Sequence, residues 1–159
     1  MSVDGPYALP MARSQGAELA LLLLGGFEAM VDEVTAGLDR HGHPGVRPVH
    51  EFALSAIDAG AGSASELGRS LGVSKQAAAK TIAALQQMGY VERETDPADG
   101  RRQLLRVTDR GHEMVALGAA LFDEVRTRWA DQIGVRALRT VEKNLALLAR
   151  PHRVGTDDD

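Results

Sequence analysis

The stretch SASELGRSLGVSKQAAAKTIAALQQMGYVER, residues 63–93, constrains this chain more than any other. Ser63 and Glu66 stand at capping-box spacing, which opens a short helix running to Leu71. Gly72 supplies the left-handed residue that closes it. Ser74 then caps a second helix over about 75–88, and Gly89 stops it. A short helix, a turn with glycine and a longer helix make a helix-turn-helix. Residues 90–95 read as a strand. The following DPADGRRQLLRVTDRG, residues 96–111, carries a Pro breaker, an Asp-Gly pair and an alternating run with Leu105 and Val107 on one face. Asp-Gly between strand-like runs predicts a hairpin in which Gly100 takes the positive φ of a tight turn. With a second strand over 103–107, the whole is a winged helix-turn-helix.

Long helical patterns flank this core. Leu19, Leu23, Gly26, Met30, Val34 and Leu38 recur at steps of three and four over about 13–40, and HGHPG at 41–45 ends that run. A shorter helix is expected over 47–59 with Phe52 and Ile57 inward, ending in GAGS at 60–63. Thr108 caps a helix to about 131 with Met114, Leu117, Leu121 and Val125 on one stripe. The last helix, 135–149, places Leu138, Val141, Leu145 and Leu148 together. The expected fold is mainly α with a small β-hairpin wing. Its parts are a flexible arm (1–12), an N-terminal dimerisation helix and loop (13–45), the winged helix-turn-helix (46–111), C-terminal dimerisation helices (112–152) and a disordered acidic tail (153–159). The terminal helices have apolar stripes with too little chain to cover them, and self-association is the common remedy.

The longest apolar run, LALLLLGGF at 19–27, is too short for the roughly 20 residues of a membrane span, and no basic region or cleavage site marks a signal peptide. A cytoplasmic chain is expected. The absence of cysteine excludes disulfides, thiolate metal sites and thiol redox sensing. Net charge is −4, yet residues 63–111 hold eight Lys/Arg against six Asp/Glu, a local +2 on an acidic body. Such a distribution fits a selective polyanion binder.

In a helix-turn-helix the second helix enters the major groove of double-stranded DNA with its N-terminal residues near base edges. At 100° per residue, Ala78, Thr81, Ile82, Leu85 and Met88 fall in one buried sector. Gln76, Ala79, Lys80 and Ala83 face the other way, with Lys75 at the edge. Gln76 suits an adenine edge, the alanines permit close approach to thymine methyls, and Lys75 and Lys80 suit phosphate or guanine. Ser74 at the helix N-terminus suits a phosphate oxygen. Arg101 and Arg102 sit on the wing, where a narrow minor groove attracts arginine; Arg101 is expected there, and Arg102 on phosphate. Asp99, two residues before Arg101, is placed to hold its guanidinium in one orientation.

From about Val46 to Gly111 these residues resemble the MarR family of winged-helix regulators. The likeness lies in ELGRSLGVSKQ (66–76), LQQMGYVER (85–93), the D-x-R of Asp99 and Arg101, and VTDRG (107–111). The resemblance implies a homodimer whose terminal helices interlock while two winged lobes straddle an inverted repeat. It also implies Arg101 in the minor groove positioned by Asp99, with Arg93 at the wing base. It further implies a repressor of nearby genes, relieved by a small aromatic or other effector bound between the lobe and the dimer helices. Lack of cysteine excludes the peroxide-sensing branch.

Other constellations weigh less. His41, His43, His50 and His112 hint at a metal or ligand site, but His-x-His in a Pro/Gly loop is usually solvent-exposed, and no metal or cofactor is expected. Glu92, Glu94, Asp96 and Asp99 on a hairpin without a pocket read as a solvated rim. An enzyme lacks its nucleophile–base or metal constellation. The rival is a winged-helix module that binds protein instead of DNA, which has no need for Lys75, Lys80, Arg101 and Arg102 together on helix and wing tip.

Overall fold

The computed structural model describes residues 14–149. The arm expected at 1–12 and the acidic tail at 153–159 lie outside the described residues. Eight elements follow in order: α1 (Gln15–Arg40), α2 (Pro48–Asp58), α3 (Ala64–Leu71), α4 (Lys75–Gln87), β1 (Val91–Thr95), β2 (Gln103–Val107), α5 (Asp109–Ile133) and α6 (Val135–Leu148). The chain is therefore mainly helical with one antiparallel hairpin, in which Val91 pairs with Val107, Arg93 with Leu105 and Thr95 with Gln103.

Local chemistry sets the boundaries. Ser63 Oγ accepts from Glu66 N–H at 3.2 Å, and Gly72 closes α3 at φ +67°. Ser74 Oγ accepts from Ala77 N–H at 3.1 Å, and Gly89 turns the chain out of α4 at φ +78°. Thr108 Oγ1 accepts from Gly111 N–H at 3.1 Å and donates to Gly89 O at 2.6 Å, so one hydroxyl caps α5 and ties it to the end of α4. In α2, Pro48 takes the first position, where no N–H is needed. Three residues into α2 from its Arg47 cap, His50 reaches back so that its Nδ1 accepts from Arg47 N–H at 3.1 Å, a task commonly given to Glu or Gln.

The winged lobe wraps a core of Leu54, Leu67, Leu85, Tyr90 and Met114, continued along α1 and α5 by Leu38 and Val125. Gly68 and Gly111 mark the tightest approaches to neighbouring backbone. A Cβ on Gly68 would stand 3.0 Å from Val73 O, and one on Gly111 would stand 2.5 Å from Tyr90 O.

Several sequence expectations are corrected here. Phe52 is 37% exposed and not inward, because α2 buries Ala53, Leu54, Ala56 and Ile57 and leaves Phe52 beside that sector. His41 is exposed as a loop residue should be, but His43 and His50 are each only 2% exposed. Gly100 does not take a positive φ. The turn spans residues 96–102 and is shaped by two aspartates: Asp96 Oδ1 accepts from Ala98 N–H at 2.8 Å, and Asp99 Oδ1 from Arg101 N–H at 3.1 Å. Side-chain bonds of this kind form a loop without left-handed glycine.

Candidate nucleic-acid interface

The turn between α3 and α4 is closed by Val73 N–H donating to Gly68 O at 2.9 Å. This sets α4 across α3 with Ala78, Ile82 and Leu85 buried, and Thr81 and Met88 half-buried. Thr81 turns its hydroxyl back to Ala77 O at 3.2 Å. The opposite face presents Lys75, Gln76, Ala79, Lys80 and Ala83, all exposed. Ser74 is exposed too, and its oxygen is occupied as a cap while its hydroxyl proton remains free to donate.

The arginines of the lobe separate into two groups. Arg110 works internally: Nη2 donates to Gly42 O at 2.8 Å, Nε to Met88 O at 3.2 Å, and its Cζ lies 5.4 Å from the Tyr90 ring centroid. Arg106 pairs with Glu92 and, at 3.1 Å, with Glu94 on the outer face of the hairpin. Hydrogen bonding from Glu92, then the charges of Glu92 and Glu94, hold its pKa above the usual arginine value. Arg102 Nη2 donates to Glu66 Oε1 at 3.2 Å. Arg93, Arg101, Lys75 and Lys80 enter none of the salt bridges among the described residues, and all four are exposed.

Two expectations change in detail. Asp99 holds the backbone of Arg101 and not its guanidinium, so it fixes where the side chain starts and leaves its reach open. Arg102, expected on phosphate, also donates to Glu66, 36 residues earlier in sequence. No local signal announces that pair. Gly68 could have been noticed, because a glycine inside a short capped helix implies close backbone approach.

Away from this face, a cleft of about 510 Å³ opens between α1, α5 and α6, walled by Leu23, Phe27, Trp129, Leu138 and Leu145. Arg126 bridges α5 to Glu142 of α6 with bonds of 2.5 and 2.9 Å. That hydrogen bonding holds the Glu142 carboxyl below its usual range. Where the lobe meets α1 and α5, the cavity beside Val34, Pro48, Glu51 and Phe122 is only about 10 Å³, room for no more than about one water. Burial pushes the Glu51 carboxyl up. Among the described residues no cluster of three or more His, Asp or Glu could hold a metal, and no helix is long and apolar enough to cross a membrane.

Helix-turn-helix, wing and long flanking helices define a winged-helix fold. The model of the MarR family matches residues 45–102. Similar solved structures include a MarR-family transcriptional regulator from Rhodococcus sp. RHA1 (18% identity, TM-score 0.61, covering 88% of this chain and 98% of that one). CouR from Rhodococcus jostii RHA1, bound to p-coumaroyl-CoA, is similar at 19% identity and TM-score 0.59, covering 88% and 97%. A single-residue variant of MepR from S. aureus, bound to an oligodeoxyribonucleotide, is similar at 16% identity and TM-score 0.58, covering 82% and 94%. Comparison with curated proteins by sequence finds no match. The MarR family model thus covers most of the winged helix-turn-helix, and the described fold is similar to that of the MarR-family regulator from Rhodococcus sp. RHA1.

Proposed function

We propose that this protein is a sequence-specific DNA-binding transcriptional regulator, a ligand-responsive repressor that grips an inverted repeat as a homodimer. The observation that carries the reading is the division of cations. Arg102, Arg106 and Arg110 are used within the lobe, while Lys75, Lys80, Arg93 and Arg101 are left out of every salt bridge of the described residues. On this reading Gln76, Ala79 and Lys80 meet base edges in the major groove and Arg101 enters the minor groove. Ser74, Lys75 and Arg93 hold phosphates.

Two relatives give the reading its partners. The MepR variant is bound to an oligodeoxyribonucleotide and CouR to p-coumaroyl-CoA, so the fold accommodates both classes of ligand in those proteins. For this chain an effector at the junction of lobe and α1 requires the small cavity beside Glu51 to open, since ligand pockets usually measure about 300 Å³ or more. Dimerisation is supported by the uncovered apolar cleft and by residues 19–27 of α1, which are apolar on every face.

The test is fluorescence anisotropy on the DNA upstream of the protein's own gene, across a salt series, with wild type and Arg101→Ala. The reading expects a preference of at least about a thousandfold over scrambled DNA and a steep salt slope, with Arg101→Ala clearly weaker. A shallow slope with no preference, unaffected by Arg101→Ala, on this DNA and in a genomic-library selection, overturns it in favour of a protein-binding module.

A further inference from the structure

Glu66 sits where the wing meets the helix-turn-helix and touches both. Its N–H donates to Ser63 Oγ at 3.2 Å, its Oε2 accepts from Gly62 N–H at 2.7 Å, and its Oε1 accepts from Arg102 Nη2 at 3.2 Å. Gly62 O accepts from Leu105 N–H at 3.2 Å, and a Cβ on Gly62 would lie 2.8 Å from Leu104 Cδ2. The base of the hairpin is thus laid along the loop before α3. Further out little holds it: β1 is buried only at Val91, and β2 only at Leu105 and Val107. A two-stranded hairpin is marginal without such packing. Among the described residues, Arg102–Glu66 is the one side-chain hydrogen bond or ion pair that joins the hairpin, residues 91–107, to another element.

We propose that Glu66 is a positioning residue for DNA recognition: by clamping Arg102 it fixes the wing against α3, and so sets the span from α4 to Arg101. This rests on the DNA reading above. Two arginines stand side by side on the wing, and the clamp gives them different work. Arg102, though exposed, turns to Glu66 to hold the wing, and Arg101, in none of the ion pairs of the described residues, stays out to reach. The simpler alternative is that Glu66 only shields Arg102 from phosphate. The two differ in sign, because removing a carboxylate close to DNA strengthens binding unless the carboxylate holds something in place.

The experiment compares Glu66→Gln, Arg102→Gln and the double variant with wild type, all as the full chain, on the preferred duplex and on scrambled DNA. The Glu66→Gln side chain offers one acceptor oxygen where the carboxylate offers two, so it cannot hold Gly62 and Arg102 as Glu66 does. Helix content by circular dichroism should nevertheless be retained. Each single variant is expected to lose about three- to tenfold on the preferred duplex, summed over two half-sites of an exposed ion pair. The double should lose no more than the weaker single, since both act through one contact. Glu66→Gln should bind scrambled DNA as well as wild type or better. The salt slope of Arg102→Gln should match wild type, because no phosphate contact is removed. In the free protein, amide exchange over 96–105 should rise in both single variants.

Tighter specific binding by Glu66→Gln, a slope flattened by about one ion per half-site in Arg102→Gln, or unchanged wing exchange overturns the clamp. Wild-type protein that shows no sequence preference overturns the DNA reading and this role with it. The two failures are distinct, because in the first the wild type still discriminates its site.

Discussion

His43 Nδ1 lies 3.0 Å from Tyr90 Oη, 47 residues away in sequence, and the two buried rings sit 5.7 Å apart between centroids. Arg110 completes the knot by stacking on Tyr90 and bonding the carbonyls of Met88 and Gly42. Three segments meet here: the loop after α1, the C-terminal end of α4 and the first turn of α5. The knot fixes the C-terminal end of α4. His43 and His50 thus serve the fold where the sequence left a metal or ligand role open.

Acid should weaken this knot. Burial, and secondarily Arg110, pulls the His43 pKa below the ordinary 6.5, with Glu113 opposing and His41 adding slightly. Burial, then Arg47, lowers that of His50. In both cases the unfolded chain binds the proton more readily than the folded one, so the stability they confer is complete above about pH 6.5. It is lost as pH falls toward the folded pKa values. Glu51, raised from 4.5, works in the opposite sense and regains a little at lower pH. The urea midpoint should therefore drop between about pH 7.5 and about pH 5.5, and His43→Gln should flatten the drop. A wild-type midpoint that holds or rises on acidification would refute the assignment.

Neutral His50 keeps its proton on Nε2, because Nδ1 accepts from Arg47, and that Nε2 is buried without a hydrogen-bond partner. Such an orphan donor costs about 1–3 kcal/mol. The helix-capping bond from Arg47 offsets part of this cost.

Two glycines that look alike in sequence should behave oppositely. Gly111 has no room, since its Cβ would meet Tyr90 O at 2.5 Å and Val107 Cγ1 at 2.7 Å. Gly111→Ala should cost at least about 1–3 kcal/mol as backbone and core shift. Gly100, at the Asp-Gly tip, has a φ outside the positive range and nothing within 4 Å of a Cβ. Gly100→Ala should be neutral or stabilise by up to about 1 kcal/mol, by narrowing the unfolded ensemble. Thermal melts of the pair decide the matter, and a large loss for Gly100→Ala would show that the turn needs glycine after all.

The contrast shows what a sequence can and cannot display. Caps at Ser63, Ser74 and Thr108 and the stop at Gly72 are legible because each is settled within a few residues. The exposed face of α4 follows from helical periodicity alone. Burial of His43 depends on Tyr90, and the occupation of Arg102 depends on Glu66, which no local pattern encodes. Gly100 misleads for another reason. Asp96 and Asp99 shape the turn first, and Asp-Gly indicates a left-handed residue only where no side chain has already closed the loop. Phe52 fails as an inward residue because an eleven-residue helix offers several apolar arcs, and packing against α3 and α5 selects one.

The last prediction concerns α1 and α6. Leu22 is 68% exposed and Leu148 80%, with Leu19, Phe27 and Leu147 similarly open. Leu21 and Leu24 face away from Leu23 and Gly26, so residues 19–27 of α1 have no polar side to turn to water. A helix apolar all round is stable only when enclosed, and a second copy threading its α6 or α1 into the cleft of about 510 Å³ would enclose both faces. Sedimentation equilibrium should find a dimer at micromolar concentration. Leu22→Glu should shift it to monomer, each protomer losing about 2 kcal/mol or more, which over two copies exceeds about a hundredfold in Kd. Because Leu22 is remote from the winged lobe, the monomer should keep its helix content while losing affinity for a two-half-site duplex. A wild type that stays monomeric at high micromolar concentration would refute the dimer, and would require another partner to cover α1.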